Sequence, residues 1–275
     1  MAQITTALIQ ELREKTNAGM MDCKKALQEA DGNIEDAVAV LRKRGIAKAA
    51  KRSDREASEG LVKIKLNATS TEAYILELNS ETDFVSKNES FQKLSSDLMD
   101  LLEKSKAADT ASFLKETLPN GKSVQTSVDE FSGIIGEKIV LKRVQLVTVG
   151  NNDTIGAYTH SNNKIGVVIG ITGGKGQEEL AKDLCMHIAA SNPSFIGIND
   201  VPSDELDKEK AILKEQAINA GKPEAIAEKI VEGKLRKYYE DNCLLEQDFV
   251  KDSDKKIKDL LNTMSVSEFV RFSIG

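Results

Sequence analysis

The chain is poor in the residues from which most catalytic and metal centres are built. It has two histidines, His160 and His187, and three cysteines, Cys23, Cys185 and Cys243, in 275 residues. An odd number of widely separated cysteines is neither a disulfide framework nor a zinc site. Cys23 and Cys185 fall on the apolar faces of expected helices, where a thiol serves as a small hydrophobe. No apolar run approaches the roughly 20 residues of a membrane span. The opening MAQITTALIQELREK has no charged segment leading into an apolar block and is not an Arg/Ser-rich transit sequence, so a cytoplasmic location is expected. Positive charge is not in excess either. A net charge of −6 argues against a protein held to nucleic acid mainly through phosphates.

Enzyme chemistry is equally hard to place. GITGGKGQEEL has the look of a phosphate-cradling turn between strand and helix. The Walker pattern, however, needs four residues before its Gly-Lys pair and a hydroxyl after it. Here only three residues separate Gly170 from Gly174-Lys175, and Gly176 stands where the hydroxyl should be. His187 sits within an expected helix as a packed or half-exposed residue, and His160 at an expected hairpin turn, exposed and without an evident partner in sequence. Acid pairs such as Glu11/Glu14 read as solvated helix faces. No cofactor or metal is expected, and binding is the better reading.

What is present is a strongly patterned α+β chain. Ile4, Leu8 and Leu12, then Cys23, Ala26, Leu27 and Ala30, then Ile34, Ala37, Val38 and Leu41 mark three short helices within residues 1–45. Asn33 is a plausible N-cap for the third, with Asp36 three residues on. So small a bundle buries one narrow core. Surface contact and core packing are therefore both open for Met20 and Met21. The stretch RKRGIAKAAKRSDR at 42–55 is read as a solvated helix end and basic linker rather than an RNA contact.

A hairpin followed by a helix then occurs twice. GLVKIKLN and AYILELN precede a helix at about 88–105; TIGAYTH and KIGVVIGIT precede one at about 176–190. A helix near 123–138 leads into the strand IVLKRVQLV. Two related α+β subdomains with antiparallel sheets are expected, at 56–140 and 141–275, after a three-helix module and linker at 1–55. Within the second lies an inserted charged helical hairpin at 203–240, broken at AGKP, where Gly221 ends one helix and Pro223 opens the next. A short helix near 254–263 and the strand SEFVRFSI form a closing module.

One stretch resists this scheme. In ELNSETDFVSKNESF, the pair Phe84-Val85 stands among acids, amides and hydroxyls, between a strand and a helix. By pattern alone, Phe84 either folds back onto the helix that starts near Asn88 or is held outward on a polar bend.

Five stretches together resemble bacterial translation elongation factor Ts. They are LREKTNAGMMDCKKALQEADGNIEDAVAVLRKRG, ETDFVSKNESF, AYTHSNNKIGV, HIAASNPSF and GKPEAIAEKIVEGKLRKYYED. The first and last are the most specific. The resemblance implies an N-terminal module similar to ubiquitin-associated (UBA) domains, then a core of two related subdomains with an inserted helical hairpin. It also implies a guanine nucleotide exchange factor, not an enzyme, whose partner is the GTPase elongation factor Tu. In that family the Thr-Asp-Phe-Val segment, here Thr82, Asp83, Phe84 and Val85, is associated with Mg²⁺ displacement from the partner. Phe84 is the expected wedge, and Asp83 is expected to hold the loop or repel the phosphate side. Partner contacts map onto Arg13, Met20, Met21 and His160.

No membrane and no direct nucleic-acid partner is implied. The hairpin contributes to self-association or partner contact in some members, which leaves a homodimer and a two-plus-two complex with elongation factor Tu both open. Some members continue past FVRFSI into a further helix that touches the partner. This sequence stops at Gly275, so that contact is expected to be missing or replaced. Two other classes compete. One is a peptide- or ubiquitin-like-binding adaptor built on residues 1–55; the other is an RNA-binding accessory that uses residues 42–55.

Overall fold

The N-terminal periodicity gives three helices, α1 (Thr6–Thr16), α2 (Met20–Glu29) and α3 (Ile34–Ala50), in a computed structural model that describes residues 4–16, 18–50, 52, 54–219 and 224–275. Leu12, Cys23, Ala26, Leu27, Ala37 and Leu41 form their shared core. Asn33 starts α3 as its composition predicts, its side-chain oxygen accepting the N–H groups of Glu35 and Asp36 at 2.9 and 3.2 Å.

The hairpin β1 (Glu59–Leu66) and β2 (Glu72–Ser80) leads through a single turn of helix, α4 (Asp83–Ser86), into α5 (Glu89–Ser105). A further short helix, α6 (Thr110–Phe113), precedes α7 (Val124–Ile135) and β3 (Ile139–Thr148). The three strands form one antiparallel sheet in the order β1-β2-β3. Side chains alternate along β2: Tyr74, Leu76 and Leu78 face a core shared with Phe91, Leu98, Leu102 and Val128 of the helices, while Ala73 and Ile75 face the opposite way. The boundary expected at 140 falls inside β3. That strand belongs to the first sheet, because its register with β2 brings Leu141 and Val144 into the same core.

The second half repeats the plan. The hairpin β4 (Thr154–Thr159) and β5 (Ile165–Thr172) is followed by α8 (Glu178–Ser191). Next come α9 (Ser203–Asn219) and α10 (Glu224–Asn242), whose connecting residues 220–223, with the Gly221 and Pro223 expected to shape it, lie outside the described residues. These two charged helices pair with each other, as in Tyr238 to Glu205 at 2.8 Å. The short helix expected near 254–263 is present as α11 (Ile257–Leu261), preceded by a small hairpin, β6 (Asp248–Phe249) with β7 (Asp252–Lys256), whose second strand takes the first residues of that range. The closing strand β8 (Ser265–Ser273) pairs with β5, giving the order β4-β5-β8. In both halves, then, the third strand joins the second strand of the hairpin.

The sheets stack face to face. Val62, Ile75, Val147, Ile155, Val168, Val270 and Phe272 form the core between them. Outside the second sheet, Val167, Ile169 and Ile171 meet Leu184, Cys185 and Ile188 of α8. The molecule is therefore layered helix–sheet–sheet–helix, with the three-helix bundle at one side.

The bundle is attached where a linker was expected. The helix α3 continues through residue 50, and it packs against α7. Gly45 and Gly133 face each other, and a Cβ on Gly133 would lie 2.1 Å from the Gly45 Cα. Beside that crossing, Arg42 and Lys122 pair with the nearly buried Glu130. The other arginines of the basic stretch also have internal partners: Arg44 with Glu29, Arg52 with the Ser132 carbonyl, and Arg55 with Glu81. Much of the stretch's charge is thus spent within the molecule.

His187, read from sequence as packed or half-exposed, is fully buried between α8 and the β6–β7 hairpin. Its Nδ1 accepts the Val250 N–H at 3.3 Å, which assigns the proton to Nε2, 2.9 Å from Gln247 Oε1. Burial pushes its pKa below the ordinary value, against the opposing pull of the Gln247 hydrogen bond.

Two stability tests result. Gly133→Ala loses stability to overpacking of about 1–3 kcal/mol, offset by about 1 kcal/mol of helix propensity, so urea unfolding shows net destabilisation. At Gly45, by contrast, an added Cβ meets its nearest neighbour at 3.5 Å, so Gly45→Ala is neutral or stabilising. For His187 the folded pKa is depressed, so its contribution is present above the unfolded value of about 6.5 and is lost as pH falls through that value toward the folded one. Unfolding free energy measured against pH declines below about 6.5, with a slope from this group of at most about 1.4 kcal/mol per pH unit; His187→Gln lacks that part of the slope.

Candidate functional site

The segment that broke the sequence pattern is a helical turn rather than the polar loop expected. Thr82 is extended, with φ −125° and ψ 157°, and residues 83–86 close one turn of helix. Lys87 N–H reaches the Asp83 carbonyl and Asn88 N–H the Val85 carbonyl, at 3.3 and 2.9 Å. Ser86 Oγ donates to the Asp83 carbonyl, and Gln92 Nε2 donates to that of Ser86 at 2.6 Å. Asn88 then caps α5 through the Ser90 N–H at 2.8 Å. The turn is short but bonded at each end.

Within that turn Phe84 and Val85 part company. Consecutive helical residues point about 100° apart, so burial of one leaves the next on another face. Val85 is 7 % exposed and joins the core of Leu78 and Phe91; Phe84 is 81 % exposed. The alternative open from sequence, with Phe84 folded onto α5, is not what the structure adopts. An aromatic ring left in water forgoes about 1.5–3 kcal/mol of burial. Asp83 pairs with Lys87 at 2.7 Å, and that ammonium holds its carboxyl below the usual carboxylate range.

The stacking of the sheets brings a second element to this place. The β4–β5 turn carries His160, whose N–H donates to the Ile165 carbonyl at 2.9 Å. Its Nδ1 lies 2.9 Å from the Tyr158 hydroxyl, a partner two residues away. The Asn163 carbonyl accepts the Val62 N–H at 2.7 Å, and Lys164 pairs with Glu59 at 2.7 Å, seating the turn on β1. Asp83, Ser86 and Lys87 face Asn162, Asn163 and Lys164 across one cleft of about 400 Å³. Residues 82–85 and the exposed His160 thus lie on adjoining edges.

The remaining expected contacts lie on the bundle. Arg13 is exposed on α1, and Met20 and Met21, at the start of α2, are 43 % and 64 % exposed. This settles their orientation toward surface rather than core. Ala18 and Asp22 line a small crevice with Gly45, Gly133 and Ile134, so the start of α2 lies over α7. None of these three residues lines the cleft between the α4 turn and the β4–β5 turn.

Sequence reasoning missed how the Phe84 turn is held. Thr82 donates through both its N–H and its hydroxyl to Glu137, at 3.0 and 2.8 Å. No spacing signal links residues 55 positions apart in the chain. In the glycine-rich loop, in contrast, the Gly173 N–H donates to Asp153, the Lys175 N–H to the Asn152 carbonyl and the Gln177 N–H to the Gly174 carbonyl. No group of three or more His, Cys, Asp or Glu side chains able to hold a metal occurs among the described residues, and no helix among them is long and apolar enough to cross a membrane.

Compared with known protein families, residues 81–275 match the family described as Elongation factor TS. The match begins at the residue before Thr82 and takes in the α4 turn, the His160 turn and the whole second half.

Proposed function

The chain belongs to the elongation factor Ts family, a family of nucleotide exchange factors for elongation factor Tu in translation elongation, and we propose that it releases GDP from that GTPase by inserting Phe84 beside the partner's magnesium site. The observation that carries this reading is the outward Phe84 on a turn whose next residue, Val85, is anchored in the core.

An exchange factor needs more than affinity. GDP is held by phosphate-loop amides and by Mg²⁺, which neutralises phosphate oxygens. The factor must bind the nucleotide-free partner better than the nucleotide-bound one, and by linkage the nucleotide then weakens the factor equally. A rigid apolar ring supplies this difference if its pocket is open only when the elements around magnesium have moved apart. Asp83, paired with Lys87, helps hold the turn that presents the ring. His160 and the exposed Met20, Met21 and Arg13 extend the contact to other parts of the partner. The protein itself performs no covalent step.

Magnitude limits what Phe84 does alone. Burying its ring contributes about 1.5–3 kcal/mol, or about ten- to 150-fold in an equilibrium. Larger accelerations require the additional contacts.

The test is release of a fluorescent GDP analogue from elongation factor Tu. The native chain accelerates release strongly, and Phe84→Ala lowers the saturating rate by about tenfold or more. Being exposed, Phe84 can be removed with a change in stability within about 0.5 kcal/mol. No acceleration by the native chain disproves exchange activity; native acceleration by Phe84→Ala disproves the wedge. Chelating Mg²⁺ narrows the gap between the two proteins, and a gap of unchanged size places the action of Phe84 elsewhere.

A further inference from the structure

A threonine at the start of a helix ordinarily turns its hydroxyl onto the free N–H groups of the first turn. Thr82 precedes α4 and makes no such bond. Its hydroxyl points away from the helix and donates to Glu137 Oε1 at 2.8 Å, while its backbone N–H donates to Oε2 at 3.0 Å. The rotation of α4, which decides where Phe84 points, is therefore constrained from outside the turn.

The reach of Glu137 follows from the end of α7. Gly136 takes the left-handed conformation, φ 91°, and its N–H closes the helix on the Ser132 carbonyl. The chain reverses there, and Ser132 Oγ donates to the Glu137 carbonyl at 2.6 Å. A second carboxylate completes the arrangement in the opposite sense. Glu81, immediately before Thr82, accepts the N–H of Lys138, immediately after Glu137, at 2.6 Å. Each turn thus offers a carboxylate to the other's backbone. Arg55 pairs with Glu81 at 3.2 Å, and Lys138 Nζ donates to the Arg55 carbonyl at 2.8 Å, which ties in the segment arriving from the three-helix bundle.

We propose that Glu137 is a positioning residue for nucleotide exchange: its carboxylate, holding both donors of Thr82, fixes the direction in which Phe84 is presented to the GTPase. This inference rests on Phe84 being the exchange wedge. Only a carboxylate of this length offers two oxygens to two donors on one residue while reaching from a neighbouring turn. Such charge-assisted bonds are stronger than neutral ones. Glu137 touches neither nucleotide nor magnesium in this scheme and acts through the backbone of Thr82.

The test uses the full chain and the same GDP-analogue release from elongation factor Tu, with rate measured against factor concentration. Glu137→Ala lowers the saturating rate about tenfold, the size expected from losing a hydrogen bond to a charged group, and leaves the half-saturating concentration unchanged. Glu137→Gln, which keeps one acceptor and can donate to the Thr82 oxygen, retains a rate within about threefold of native. In a Phe84→Ala background, Glu137→Ala has no further effect. If Phe84→Ala slows release but Glu137→Ala does not, or if the two losses multiply, the positioning role is overturned while the wedge stands. A rise in half-saturating concentration in place of a rate loss also overturns it. If Phe84→Ala has no effect, wedge and positioning role fail together. Should Glu137→Ala fail to fold, Thr82→Val removes the hydroxyl alone; it lowers the saturating rate in the native background and not in Phe84→Ala, and any other pattern overturns the proposal.

Discussion

Each of the two main sheets, β1-β2-β3 and β4-β5-β8, has three strands and two faces, and neither face can be left in water. The helices cover one face of each; the faces that remain cover each other, through Val62, Ile75, Val168, Val270 and Phe272. This stacking is the constraint from which the functional geometry follows. It sets the β4–β5 turn against β1, where the Asn163 carbonyl takes the Val62 N–H and Lys164 meets Glu59. His160 and Phe84, far apart in the chain, come to one side for that reason. Within the stack the fully buried Glu77 pairs with Arg143 and Lys142, and the Arg143 guanidinium lies 4.1 Å from the Phe272 ring centre.

Helix α7 is the second organising element, and it serves three neighbours. One side packs Val124 and Val128 into the first core. Another receives α3 at the Gly45–Gly133 crossing, where backbones approach without side chains between them. Its C-terminal turn sends Glu137 to Thr82. The three-helix bundle, the first sheet and the Phe84 turn are thereby referred to a single rigid helix. In the proposed mechanism this matters because a wedge separates its partner only if it is not itself pushed aside. Val85 in the core, Gln92 on the Ser86 carbonyl and Glu137 on Thr82 resist from three directions.

The same economy explains the basic stretch at 42–55. Its arginines look available in the sequence, yet each has a partner within the fold, from Glu130 and Glu29 to the Ser132 carbonyl and Glu81. For Arg42, Arg44 and Arg55 the partner is a carboxylate, and charge neutralised in this way contributes little to phosphate attraction. The acidic overall balance and this internal pairing point the same way, toward a protein partner.

The sequence alone was enough for the helix and strand pattern and for the doubled hairpin-plus-helix plan, because periods of 3.6 and 2.0 record which side of each element is buried. It also marked Phe84 as anomalous, an aromatic ring where a bend calls for small polar residues. Whether that ring turned inward or outward was a tertiary decision. It depended on Val85 finding space beside Leu78 and Phe91, and on the rotation that Glu137 imposes on Thr82. The same holds for β3, whose allegiance to the first sheet lies in its pairing with β2, and for the helical continuation of α3, which depends on a facing glycine in α7. Local periodicity reports burial one element at a time; contacts between residues far apart in the chain exist only once the layers have been stacked.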